Sequence, residues 1–150
     1  MTIYLDVCCL NRPFDDQSQN RVRLEAEAVL SILEMADARQ LEIIGSDIID
    51  DELAEMPDHE RREKVELLLT VVSTQIALTT GIERRAVELQ KWGLTSLDAL
   101  HLASAESAHA DYFLTTDDNL LRKAIRHQAD LKVKVENPAK WLIQKATDES

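Results

Sequence analysis

Residues 94–121 read LTSLDALHLASAESAHADYFLTTDDNLL, and this stretch decides the fold class. Thr95 or Ser96 is placed to cap a helix running to about Ala110, because a short side-chain oxygen accepts from the open N–H groups of a first helical turn. Leu97, Leu100, Leu102 and Ala105 make that helix apolar nearly all round, with no formal charge between Asp98 and Glu106. A helix of that kind is buried. Tyr112 to Thr115 then reads as a strand and Asp117 to His127 as a second helix. Buried helix, short strand and helix in succession are a fragment of an α/β sheet.

Outward from this fragment the pattern repeats. Thr2 to Leu5 is β-prone and ends at Asp6, and NRPFDDQSQN reads as a polar loop. Val22, Ala26, Val29, Leu33 and Ala36 recur at helical spacing, which marks a helix packed by one face. Leu41 to Gly45 is a second strand, with Ser46 or Asp47 capping a helix that Pro57 closes. Residues 60 to 73 predict another helix, and TQIALTT (74–80) either a strand or an extended connection. Ile82 to Trp92 is helical and stops at Gly93; Leu131 to Val135 is a final strand, and Asn137-Pro138 turns into a helix around Trp141. Strands alternating with crossover helices predict a three-layer α/β/α fold with a central, mainly parallel sheet of four to five strands. The expected organisation is one domain over 1–150, with a core of about 2–136 and a C-terminal helix of about 138–146.

Bulk properties narrow the function. Hydrophobic residues at 45% and charged residues at 30% are those of a globular chain. A net charge of −11 excludes a protein that coats nucleic acid by neutralising phosphates. No apolar run approaches the roughly 20 residues of a membrane span. The start, MTIYLDVCC, lacks a basic segment and reaches an acid at position 6, so a signal peptide is not expected and the cytoplasm is. Cys8 and Cys9 are adjacent, point to opposite faces if they continue a strand, and read as inert, partly buried thiols.

The acids carry the chemistry. In a parallel sheet the ligand site lies beyond the carboxyl ends of the strands, and Asp6 and Asp117 each follow a strand directly. Asp117 also suits a plain helix cap. On a helical wheel begun at Ile48, the apolar residues Ile48, Ile49, Leu53 and Met56 span about 0° to 140°, and Glu52 falls inside that arc at about 40°. Asp50, Asp51 and Glu55 fall outside it. Asp98 sits in the first turn of the apolar helix, where the helix dipole also favours an acid. His101, one turn on, is either a partner to these acids or simply accommodated. Four such carboxylates without a His or Cys cluster suit hard cations such as Mg2+ or Mn2+. A phosphate-receiver domain, also α/β with acids at strand ends, would need a lysine after its last strand, where Asn137-Pro138 stands.

These segments resemble the PIN-domain family, which includes the VapC-type toxins of bacterial toxin–antitoxin pairs. The resemblance runs over about residues 2 to 136 and is sharpest over 94–121, where Asp98 opens a small-residue helix and Thr115-Thr116-Asp117 forms the turn after a strand. IYLD supplies Asp6 and SDIIDDELAEM supplies Glu52. The resemblance implies a PIN-like fold and a Mg2+- or Mn2+-dependent endoribonuclease. Asp6, Glu52, Asp98 and Asp117 would be its catalytic and metal-binding residues. It also implies a homodimer, an RNA substrate and a small antitoxin. The chain departs from the family in placing Val7-Cys8-Cys9 after the first aspartate, where Ser, Thr or Asn is common. Thr116 and Asn11 are candidates to compensate, Asp118 to assist, and Arg12 to meet a phosphate. Arg21, Arg23, Arg122, Lys123 and Arg126 could guide RNA along the rim, or are ordinary solvated charges. The alternative reading is a catalytically weak PIN-like module that binds protein partners.

Overall fold

Five parallel strands in the order β3-β2-β1-β4-β5 form the centre of the molecule: β1 (Thr2–Leu5), β2 (Glu42–Ser46), β3 (Thr74–Ile76), β4 (Tyr112–Leu114) and β5 (Lys134–Glu136). A computed structural model describes residues 1–149, with the backbone alone at Glu149; Ser150, the last residue of the expected domain, lies outside the described residues. Among the described residues eight α-helices surround the sheet: α1 (Val7–Asn11), α2 (Asn20–Asp37), α3 (Asp47–Ala54), α4 (His59–Leu68), α5 (Thr80–Gln90), α6 (Ser96–Ser107), α7 (Asp118–Arg126) and α8 (Pro138–Glu149). The predicted α/β/α architecture with its parallel sheet is the one observed. TQIALTT contributes a strand over Thr74–Ile76, so the sheet has five.

The central strands are buried on both faces, as Ile3, Tyr4 and Leu5, Ile43 and Ile44, and Phe113 and Leu114 show. Continuous apolar runs of this kind fit a parallel sheet with helices on each side. The chain lays down β1, β2 and β3 in one direction, then returns to place β4 and β5 on the other side of β1. Strand order therefore reverses between β1 and β4, and a crevice opens beyond their carboxyl ends at such a point. Asp6 N–H still donates to Leu114 carbonyl there at 3.0 Å, holding the two chain exits side by side.

Two segments differ from expectation. The loop predicted after Asp6 begins instead with α1, capped by Asp6, whose carboxylate accepts Val7 N–H at 2.9 Å. Val7, Cys9 and Leu10 are buried by this turn. A three-residue 3-10 turn, Arg12–Phe14, follows with Pro13 at its start, a position where a missing N–H costs nothing. At the other end, Leu131 and Val133 are buried but precede the strand. β4 has only three residues, and it pairs Tyr112, Phe113 and Leu114 with Lys134, Val135 and Glu136, which moves β5 toward the C-terminus. Among the described residues no helix is long and apolar enough to cross a membrane.

Candidate metal centre at the β1–β4 crevice

Asp6 lies at the bottom of the crevice, 6% exposed. Its Oδ1 accepts Val7 N–H, and its Oδ2 accepts the Thr115 hydroxyl at 2.9 Å and the Cys8 thiol at 3.4 Å. Burial pushes the Asp6 carboxyl well above its ordinary range, and Cys8 and Asp98 add to this; His101 and Thr115 oppose it. The protein thus holds in place a carboxylate that gains from a nearby cation.

Glu52 reaches the crevice from α3. Ser46 caps that helix by accepting Ile49 N–H at 3.0 Å, and Ile48, Ile49 and Leu53 are buried beneath it. Glu52 is half-buried, as is Asp47 at the helix start, while Asp50, Asp51 and Glu55 are exposed. Its Oε1 lies 2.8 Å from His101 Nε2. One ligand atom each from Asp6, Glu52 and His101 lie within 4.8 Å of one another, so the structure brings these three together.

Asp98 and Asp117 stand at the starts of α6 and α7, and among the described residues neither belongs to the group that converges within 4.8 Å. Thr95 caps α6 by accepting Asp98 N–H at 3.1 Å, which places Asp98 in the first turn, half-buried. Burial raises its carboxyl, Thr95 lowers it, and Asp117 and Glu52 raise it further, so these carboxylates share one field. Asp117 is exposed and caps α7 through Asn119 and Leu120 N–H at 2.9 and 3.2 Å. Its own N–H donates to Thr115 Oγ1 at 3.1 Å.

The auxiliary candidates divide. The hydroxyl beside Asp6 belongs to Thr115, whereas Thr116 contributes its N–H to Cys8 Sγ at 3.4 Å. Asp118 is turned away to Arg21, whose two terminal nitrogens reach its oxygens at 2.7 and 2.6 Å. Arg12 donates to Glu25 at 2.9 Å and Asp15 at 3.1 Å, and Asn11 lies 3.5 Å from Arg61. Lys123 is engaged by the Gly93 carbonyl at 2.7 Å. Cys8 is partly buried, as expected. As part of α1 it points at Asp6 and Thr115, both at 3.4 Å. The adjacent Cys9 side chain, opposed by burial and helped by Thr115 and Thr116, lowers Cys8 to about 6. Cys9 is fully buried, which raises its thiol instead.

The fold is shared with solved structures of low sequence identity. VapBC2 from Rickettsia felis, solved bound to a DNA fragment from its promoter, matches with a TM-score of 0.56 at 16% identity, over 91% of this chain and 98% of the other. VapBC-1 from nontypeable Haemophilus influenzae matches with a TM-score of 0.58 at 17% identity, over 92% of this chain and 98% of the other. PAE2754 from Pyrobaculum aerophilum matches with a TM-score of 0.53 at 18% identity, over 98% of this chain and 90% of the other. No curated protein matches the sequence. The family model for the PIN domain matches residues 3–126, from within the first strand to the end of α7, and the chain belongs to the PIN domain family.

Proposed function

We propose that this protein is a metal-dependent ribonuclease of the PIN family, with Asp6, Glu52, Asp98 and Asp117 as its site and residues 1–150 as one domain. The observation that carries the reading is the convergence of Asp6 and Glu52 ligand atoms within 4.8 Å at the point where strand order reverses. The donor set fits a hard divalent cation. It offers the carboxylate oxygens of Asp6 and Glu52 beside the imidazole of His101, and among the described residues no protein group bonds Glu52 Oε2. Asp6 and Glu52 would hold Mg2+ or Mn2+, with Asp98 and Asp117 joining from the rim. When bound, such an ion makes a hydrolytic water acidic and offsets charge on a phosphodiester.

The chain's own part is positioning. Thr115 and Val7 fix the Asp6 carboxylate, His101 fixes that of Glu52, and Thr95 orients the first turn that carries Asp98. With the rim arginines Arg12 and Arg21 engaged by carboxylates, these two offer RNA phosphates little free positive charge. The likeness to two VapBC structures supports an antitoxin partner, and cytoplasmic location and a homodimer belong to the same reading. Single-stranded RNA incubated with Mn2+ tests it: Asp6→Asn and Asp98→Asn should each abolish cleavage while leaving the fold intact. Unchanged cleavage by either variant would sink the assignment.

One observation favours the second reading, a weakly catalytic module that acts through protein partners. A thiol, Cys8, stands beside Asp6 where the family commonly has a hydroxyl or amide. Calorimetry separates the two, since a module need not take up Mn2+.

A further inference from the structure

A line of buried hydrogen bonds runs from the sheet to Glu52. Ser46 Oγ lies 2.6 Å from Tyr4 Oη, Tyr4 Oη lies 2.6 Å from His101 Nδ1, and His101 Nε2 lies 2.8 Å from Glu52 Oε1. Ser46, Tyr4 and His101 are all fully buried. The Tyr4 ring is clamped between Phe113, stacked at 5.3 Å, and the edge of His101 at 5.7 Å. These four residues come from β1, β2, α3 and α6.

The direction of the line follows from its buried end. Ser46 Oγ already accepts Ile49 N–H, and Tyr4 Oη is its other partner among the described residues. If Tyr4 donated to Ser46, the serine hydrogen would be left without an acceptor in a fully buried place, at a cost of about 1–3 kcal/mol. With Ser46 donating to Tyr4, every hydrogen finds an acceptor. Tyr4 then donates to His101 Nδ1, and the hydrogen of a neutral imidazole stands on Nε2, aimed at Glu52. Burial raises the Tyr4 phenol and keeps it a donor.

We infer that Ser46, Tyr4 and His101 form a one-way hydrogen-bond line that positions the Glu52 carboxylate for metal, with His101 a positioning residue and not itself a ligand. This rests on the metal-dependent reading above. Ligation through Nε2 would require its hydrogen to leave and the whole line to reverse, which strands the Ser46 hydrogen. His101 therefore orients the site without changing its all-oxygen character, which keeps the preference for hard cations.

The test uses the full chain. Imidazole nitrogen NMR should find His101 protonated at Nε2 and bare at Nδ1 in metal-free protein, and unchanged when Mg2+ is added. Loss of the Nε2 hydrogen on Mg2+ addition, or an Nδ1–H form without metal, would overturn the inference. Tyr4→Phe, which removes one oxygen and keeps the ring, should weaken Mn2+ binding by about tenfold. In a Glu52→Gln background the same change should have little effect, because Tyr4 acts only through Glu52. A full loss persisting there would also overturn it. His101→Gln, which keeps an N–H for Glu52, should retain more affinity than His101→Leu; equal losses would count against the line. If the native protein takes up no Mn2+, the functional reading fails, and the metal-free nitrogen spectrum still decides the line's direction.

Discussion

The Thr115 hydroxyl donates to Asp6 Oδ2 at 2.9 Å and at the same time accepts the N–H of Asp117 at 3.1 Å. One fully buried side chain thus ties the acid that follows β1 to the acid that follows β4. The spacing between the buried floor and the exposed rim of the crevice is set by this oxygen, because both bonds are short and neither partner has a competing one on that atom apart from the weak Cys8 thiol.

Thr115→Val removes the oxygen and keeps the shape. Asp6 Oδ2 and Asp117 N–H each lose a partner, so the variant should be less stable by about 1–3 kcal/mol. Mn2+ binding should weaken, while Thr115→Ser should restore most of both properties. Urea denaturation and calorimetry check this; a Val variant matching the native protein in both would show the tie to be idle.

Asp6 also makes a prediction about pH. Its folded pKa lies above its unfolded value of about 3.9. The unfolded chain therefore gives up this proton first as pH rises. The stability associated with protonated Asp6 is full below about 3.9 and is lost as pH climbs through the raised folded value. Asp98 is shifted in the same direction by its burial and adds to the loss. Metal-free protein should lose part of its stability as pH rises above about 4, and Asp6→Asn should lack that portion. The gap in Tm between the variant and native protein should widen with pH. A constant gap would show that Asp6 is not perturbed. Asp118 has its pKa lowered by Arg21, so its loss comes at the acid end and does not mask this window.

Glu25 predicts a contrast within one ion-pair network. Its side chain, 2% exposed, accepts from Arg12 at 2.9 Å, Arg21 at 3.2 Å and the amide of Asn137. It joins the turn after α1, the helix α2 and the loop before α8. Removing it strands partly buried arginine and amide donors, so Glu25→Ala should cost about 3 kcal/mol or more. Arg21 is 50% exposed and its bridges are screened, so Arg21→Ala should cost under about 1 kcal/mol. Equal losses in urea denaturation would refute the distinction.

Legibility in the sequence followed the range of each interaction. The segment 94–121 could be read because caps, apolar spacing and strand chemistry all act within a few residues. Glu52 could be placed on the inward side of α3 because a wheel needs only the neighbours Ile48, Ile49 and Leu53. The helix α1 was missed because five residues are too few to show a period, and Val7 and the two cysteines are weak helix formers. Reading Cys8 as a strand residue then hid its approach to Asp6. Sequence left His101 between a partner to the acids and a plain core residue, and its bond to Tyr4 was beyond local reading, since Tyr4 is 97 residues away. Only the pairing of β1 with β4 and the packing of α6 on that face bring them together.

The two cysteines give the last prediction. Cys8 is lowered to about 6, partly exposed, and faces the Asp6 carboxylate; Cys9 is fully buried, raised, and donates to the Leu114 carbonyl at 3.3 Å. A thiolate is the nucleophilic form, so iodoacetamide at neutral pH should label Cys8 and spare Cys9 in folded protein. The labelling rate should rise through about pH 6, where Cys8 ionises. Peptide mass mapping across pH reads both. The same thiol offers soft cations a sulfur ligand beside Asp6. Cd2+ should therefore inhibit Mn2+-supported cleavage by the native protein, and Cys8→Ser should relieve that inhibition while keeping a donor for Asp6. Equal sensitivity of the two proteins to Cd2+ would mean that Cys8 lies outside the reach of the bound ion.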